Sequence, residues 1–157
     1  MNYPFRIFLA ILSVFVLTLS ACSNRDASKI QEAEKMIVAN PDSAMTMLRE
    51  VVNPHLLPDS AQALYWLSIA NIHSNLHQSL SEDSMVCWSA DFYRNAWQNA
   101  TLNERTSLLT KRMMKAQILK VFYYWWINEK ETAYQYLEDT QSIAQEINDS
   151  SWMIMPF

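Results

Sequence analysis

Apolar residues recur along most of the chain at three- and four-residue spacing, which is the period of an amphipathic helix. From about Ser28 to Ala39 the stripe is Ile30, Ala33, Met36 and Ile37. Asn40-Pro41 stops that segment and opens the next, because Asn caps helices well and Pro is tolerated at the first helical position. The second helix is expected to bury Ala44, Met47, Leu48, Val51 and Val52, and the near-absence of a connection makes the first two helices a hairpin. A third, about Asp59 to Leu76, is apolar on nearly every side through Ala61, Ala63, Leu64, Tyr65, Trp66, Leu67, Ile69, Ala70 and Ile72. Such a helix needs neighbours on several sides. The fourth follows Ser81 and runs to about Asn99, with Met85, Trp88, Phe92, Tyr93 and Ala96 as its stripe. Thr101 and Glu104 form a capping-box pattern predicted to open a long fifth helix reaching Ile127. Asn128 to Glu131 then turns the chain into a sixth, striped by Ala133, Tyr136, Leu137, Ala144 and Ile147, and Asp149-Ser150-Ser151 caps a seventh.

Composition changes this picture only by removing alternatives. There is no glycine, so phosphate-cradling loops, dinucleotide fingerprints and strained nucleophile elbows have no residue for their positive-φ positions. Tight two-residue hairpins are disfavoured for the same reason, and the expected class is all-α. Acidic residues outnumber basic ones 16 to 12 for a net charge of −4, and the nearest thing to a basic cluster, Lys111, Arg112 and Lys115, is short. Nucleic acid is therefore not expected as a partner.

The first residues read as an address. Arg6 precedes an apolar run from Ile7 to Leu19, shorter than the roughly 20 residues a bilayer-spanning helix needs and within the range of a secretory signal. The sequence Leu19-Ser20-Ala21-Cys22 resembles the bacterial lipobox, the alternative being an ordinary secretory signal with a chance cysteine. That resemblance implies a signal peptide over 1–21, cleavage before Cys22, and acylation of Cys22 with fatty acids such as palmitate. With about 0.8 kcal/mol per buried methylene, several chains give stable attachment to a membrane. Residues 22–28 would be a polar tether, and 29–157 the helical domain. The tether lacks a dense acidic run, which points to a periplasm-facing protein in the cell envelope. Lipidation of Cys22 would leave Cys87 as the only thiol, so no intrachain disulfide is expected.

The tetrapeptide Pro-Asp-Ser-Ala occurs at Pro41 and again at Pro58, half of the roughly 34-residue tetratricopeptide period apart. It is also simply a good helix opening used twice. Ala116, Leu119, Tyr123, Ala133, Leu137 and Ala144 lie near the small and aromatic positions of a tetratricopeptide unit, although one extra residue precedes the turn and the usual glycine and terminal proline are missing. Glu32-Ala33, Asn40 to Met45 and Leu48, then Asp59-Ser60-Ala61 with Tyr65-Trp66-Leu67, then Ser81 to Met85 with Ala90 and Phe92-Tyr93, resemble the N-terminal regions of Bacteroidota tetratricopeptide-repeat lipoproteins and sensory regulators. The resemblance implies antiparallel helical hairpins stacked as a short solenoid that binds something, usually continued by more repeats. Either the helices end in a private way or the chain is a truncated member. The apolar tail Trp152 to Phe157, where a solenoid carries a polar cap, favours truncation.

Three groups of residues could carry chemistry. His73 and His77 stand four apart, with Cys87 as a third donor, but both histidines are explained by the dipole at a helix C-terminus, and no metal or other cofactor is expected. Glu129, Glu131, Glu138, Asp139 and Glu146 read as a solvated face, so no enzymatic activity is expected. Phe122, Tyr123, Tyr124, Trp125 and Trp126 cover the whole circumference of a helix, and one core-facing stripe cannot hide them all. They are packing residues between neighbouring helices, or they are the partner-binding surface. The expected function is a non-catalytic envelope lipoprotein serving as a protein-interaction or sensory helical-repeat module. The alternatives are capture of a glycan or peptide on the aromatic patch, or a fragment of a longer sensor or regulator.

Overall fold

The computed structural model describes residues 25–101 and 103–147. The leader, Cys22 and the segment holding the expected seventh helix lie outside them. All regular structure among the described residues is helical. Residues 25–36 form α1, followed by α2 (Pro41–Arg49), one 3-10 turn (Pro54–Leu56), α3 (Asp59–Asn75), α4 (Met85–Asn99), α5 (Ser107–Trp126) and α6 (Lys130–Glu146). From α2 onward each helix packs against the next, and α3 also touches α5. No helix among the described residues is long and apolar enough to cross a membrane.

The apolar helix α3 divides its surface between two hydrophobic cores. Leu64, Tyr65 and Ile72 join Ile30 and Ala33 of α1, Ile37 in the turn after it, and Ala44 and Leu48 of α2. Ala63, Leu67 and Ala70 join the larger core of α4, α5 and α6, built on Ala90, Tyr93, Trp97, Met113, Met114, Leu119 and Ala144. Its lack of a polar face is thus the consequence of neighbours on both sides, as the sequence predicts. Inside the larger core, the buried Gln117 donates its amide N–H to the Ala90 carbonyl at 2.9 Å, which satisfies the amide while joining α5 to α4.

Three expectations need correction. Val52 lies beyond the end of α2, whose last helical residue is Arg49 and whose cap is Glu50, and it is 82% exposed, because the helical period no longer sets its direction. On α4 the buried face is Val86, Ser89, Ala90, Tyr93 and Trp97. Of the expected stripe only Tyr93 is buried; Met85, Trp88, Phe92 and Ala96 each stand one residue before a buried position, and Trp88 and Phe92 are only half buried, at the edge of the core. Small Ser89 and Ala90 sit innermost because they let α4 approach its neighbours closely. Finally, the Thr101 backbone N–H donates to the Glu104 carboxylate, one half of a capping box, but the Thr101 hydroxyl donates to that carboxylate too instead of accepting the Glu104 N–H, and the turn does not propagate. Thr106 is extended (φ −61°, ψ 154°), and its hydroxyl accepts the Leu109 N–H, so Thr106 caps α5 and the helix starts at Ser107.

The two Pro-Asp-Ser-Ala copies also differ in register. Asn40 caps α2 by accepting the Ser43 N–H at 3.1 Å, and Pro41 is the first helical residue. Pro58 is itself the cap of α3, and its ring carries no acceptor, so no side-chain cap bond forms there. Ala44 is fully buried and Ala61 is not, so the tetrapeptide marks two helix openings rather than two equivalent packing positions.

Candidate functional site

The C-terminal ends of α3 and α5 close in the same way. At each, the first residue beyond the cap takes a positive φ, His77 at 54° and Asn128 at 64°. Gln78 and His77 donate backbone N–H groups to the carbonyls of His73 and Ser74, while Glu129 and Asn128 donate theirs to Tyr124 and Trp125. These are paired Schellman closures, which usually place glycine at the left-handed position. In a chain without glycine, Asn and His take it, two residue types that tolerate that region better than most.

The four-residue spacing of His73 and His77 therefore does not set them on one helical face, since His77 stands outside α3 in left-handed geometry. His73 instead bonds Asp83 through Nδ1 at 2.8 Å, pinning the α3–α4 connection to the end of α3. Burial raises the Asp83 carboxyl above its ordinary range despite that bond. Burial likewise raises the Cys87 thiol, the direction that makes a cysteine unreactive. Among the described residues no three His, Cys, Asp or Glu side chains gather as metal ligands would.

Between the two helix ends lies an open cleft of about 270 Å³, lined by Ser74, His77, Gln78 and Leu80 on one side and Phe122, Trp125 and Trp126 on the other. The five-residue aromatic run therefore splits. Phe122 and Tyr123 pack against the larger core, while Tyr124 and Trp125 turn toward α6. There Tyr124 stacks on Tyr136 with ring centres 5.1 Å apart, and Trp125 meets Tyr134 edge-on at 6.1 Å with the Lys130 ammonium 5.4 Å from its ring centre. Trp126 is left 51% exposed. Three of the five thus line a cleft, and Tyr123 and Tyr124 do not. His77, Gln78 and Leu80 have no place in the sequence reading of the site; they reach it only because α3 and α5 end side by side, a relation between residues about fifty apart that periodicity along one helix does not encode.

The electrostatics of the cleft follow from the same ends. Two helix C-termini carry partial negative charge, and tryptophan rings present an electron-rich face. The arrangement favours a ligand that offers cationic or hydrogen-bond-donating groups over an apolar contact. No protein-family model matches the chain, and neither the curated proteins nor the solved structures give a match to it.

Proposed function

We propose that this protein is a non-catalytic interaction module of the cell envelope, in which helical hairpins stack as a short tetratricopeptide-like solenoid tethered through a lipidated Cys22. The stacking is supported by α3 serving two cores and by alternate helices α3 and α5 ending side by side. The tether is supported by the leader pattern and by the Leu19 to Cys22 sequence. The binding role rests on one observation, the half-exposed Trp126 at the mouth of an aromatic cleft. Large amphipathic rings at the centre of a concave patch are the usual anchors of protein interfaces.

A photo-crosslinking residue at position 126, in cells, is expected to join the chain to a protein, and Trp125→Ala to abolish the adduct. Trp126→Ala should weaken the purified complex about 30-fold, the effect of losing an anchor worth about 2 kcal/mol. Gln78 and His77 beside the two tryptophans favour a second reading, capture of a glycan, which saturable quenching of tryptophan fluorescence by oligosaccharides would establish instead. Cys22→Ala should abolish palmitate labelling; an unacylated product released from the membrane would overturn the tether.

A further inference from the structure

A second cleft, of about 280 Å³, opens where α1, α3 and α5 come together and shares no lining residue with the aromatic one. Its walls are Ile37, Leu67 and Leu108, and three cations of α5 stand over them, Lys111, Arg112 and Lys115. Arg112 is committed, since its guanidinium donates to both carboxylate oxygens of Glu34 at 2.8 and 2.6 Å. The two lysines have no counter-charge among the described residues. Lys111 is exposed and Lys115 half buried, and burial alone lowers the Lys115 ammonium below its ordinary range. At the floor, the Ser68 hydroxyl is 1% exposed and has no hydrogen-bond partner. A protein does not ordinarily leave an ammonium partly desolvated and unmatched beside an unspent hydroxyl. Here both border the same apolar hollow, in a chain whose net charge is −4.

We propose that this cleft binds a small amphipathic carboxylate, its anion held between Lys111 and Lys115 and its apolar body laid against Leu67 and Leu108. The carboxylate supplies the missing counter-charge and the apolar portion covers Leu108, which is otherwise half exposed. A purely inorganic anion would leave the apolar wall wet, and a neutral apolar molecule would leave the ammonium groups unmatched. The cleft is too small to take more than a short chain or a single ring.

The test is a titration of the full chain with hexanoate, followed by two-dimensional amide NMR, alongside hexanamide, inorganic phosphate and an acidic peptide. Hexanoate is expected to saturate one site and shift the amides of α1, α3 and α5. Hexanamide should bind at least tenfold more weakly, and the Lys111→Met, Lys115→Met double variant should lose at least tenfold, its fold checked by circular dichroism. The single variant Lys111→Met, at an exposed position, gives the same comparison if the double variant does not fold. Trp126→Ala should leave hexanoate binding unchanged, which separates this site from the aromatic one. Equal binding of hexanamide, undiminished binding by the lysine variants, phosphate competing as well as hexanoate, or saturation by the acidic peptide alone would each overturn the assignment.

Discussion

Helix α5 draws a lysine from water twice, five residues apart, fully at Lys120 and partly at Lys115, and it treats the two in opposite ways. Where α5 meets α4 and α6, the Lys120 side chain is only 6% exposed, and its ammonium lies 2.7 Å from the Asp91 carboxylate and 4.1 Å from the centre of the Tyr136 ring. Where α5 meets α1 and α3, Arg112 has its Glu34 but Lys115 has neither carboxylate nor ring among the described residues. The difference lies in what the neighbouring helices supply, since the more deeply buried lysine is the one that has partners. Withdrawing a cation from water costs free energy unless an anion or an electron-rich face replaces the lost hydration, and at Lys120 both do. An unmatched cation in the same helix is then a departure from the chain's own habit, of the kind that functional sites tolerate.

The comparison breaks most visibly at Glu34. Glu34→Ala leaves Arg112 without its bidentate partner and removes the tie between α1 and α5, so a loss of about 2.5 kcal/mol in urea unfolding is expected. That bond is also the main reason the Arg112 guanidinium holds its proton more tightly than usual. Asp91→Ala should cost less, about 1.5 kcal/mol, because Asp91 itself is 60% exposed and water screens part of the pair while the Tyr136 ring remains. A Glu34→Ala chain as stable as the parent would show that the α1 contact is incidental and the cleft unsupported.

How far the sequence carries this picture depends on whether a feature is local to one helix. The existence and type of the six helices, the cap at Asn40 and the turn at Asn128 are all written in short-range pattern, and they appear in the structure. The buried face of α4 shares Tyr93 with the expected stripe but otherwise lies one residue on, because large aromatics such as Trp88 and Phe92 dominate a hydrophobic pattern, whereas close helix approach selects the small Ser89 and Ala90. The aromatic run announced a surface need, since five rings cannot share one face, but the partners that turn it into a cleft come from the far end of α3. The cluster of Lys111, Arg112 and Lys115 looked merely too short for nucleic acid; that one of the three is neutralised by a residue of α1, and two are not, depends on tertiary contact alone.

At Lys115 the expected change has the opposite sign. Lys115→Met keeps the length of the stem and removes a charge that burial disfavours, so the variant should be slightly more stable at neutral pH, by about 0.5 kcal/mol after allowance for solvent screening. The sign also fixes a pH profile. A lysine whose pKa is lower in the folded chain loses its proton there first, so between the folded value and the unfolded value near 10.5 the unfolded state binds more protons and stability rises with pH. The advantage of the variant should therefore shrink as pH climbs toward 10.5, measured as the difference between the two unfolding midpoints. A difference that stays flat or grows would mean that Lys115 is not held charged against its surroundings.

Lys111 completes the series with the smallest effect. It belongs to the same cleft and the same turn of helix as Arg112, but its side chain is exposed, so its ammonium keeps its hydration and needs no counter-charge for the fold. Lys111→Met should leave the unfolding free energy unchanged to within about 0.2 kcal/mol. Paired with the Lys115 result, this separates two meanings of an unpaired cation. If burial is what makes Lys115 exceptional, the two substitutions differ in stability while both weaken an anion's binding. If the two behave alike in unfolding, the contrast along α5 is one of position only, and the lysines of the cleft are ordinary surface charges.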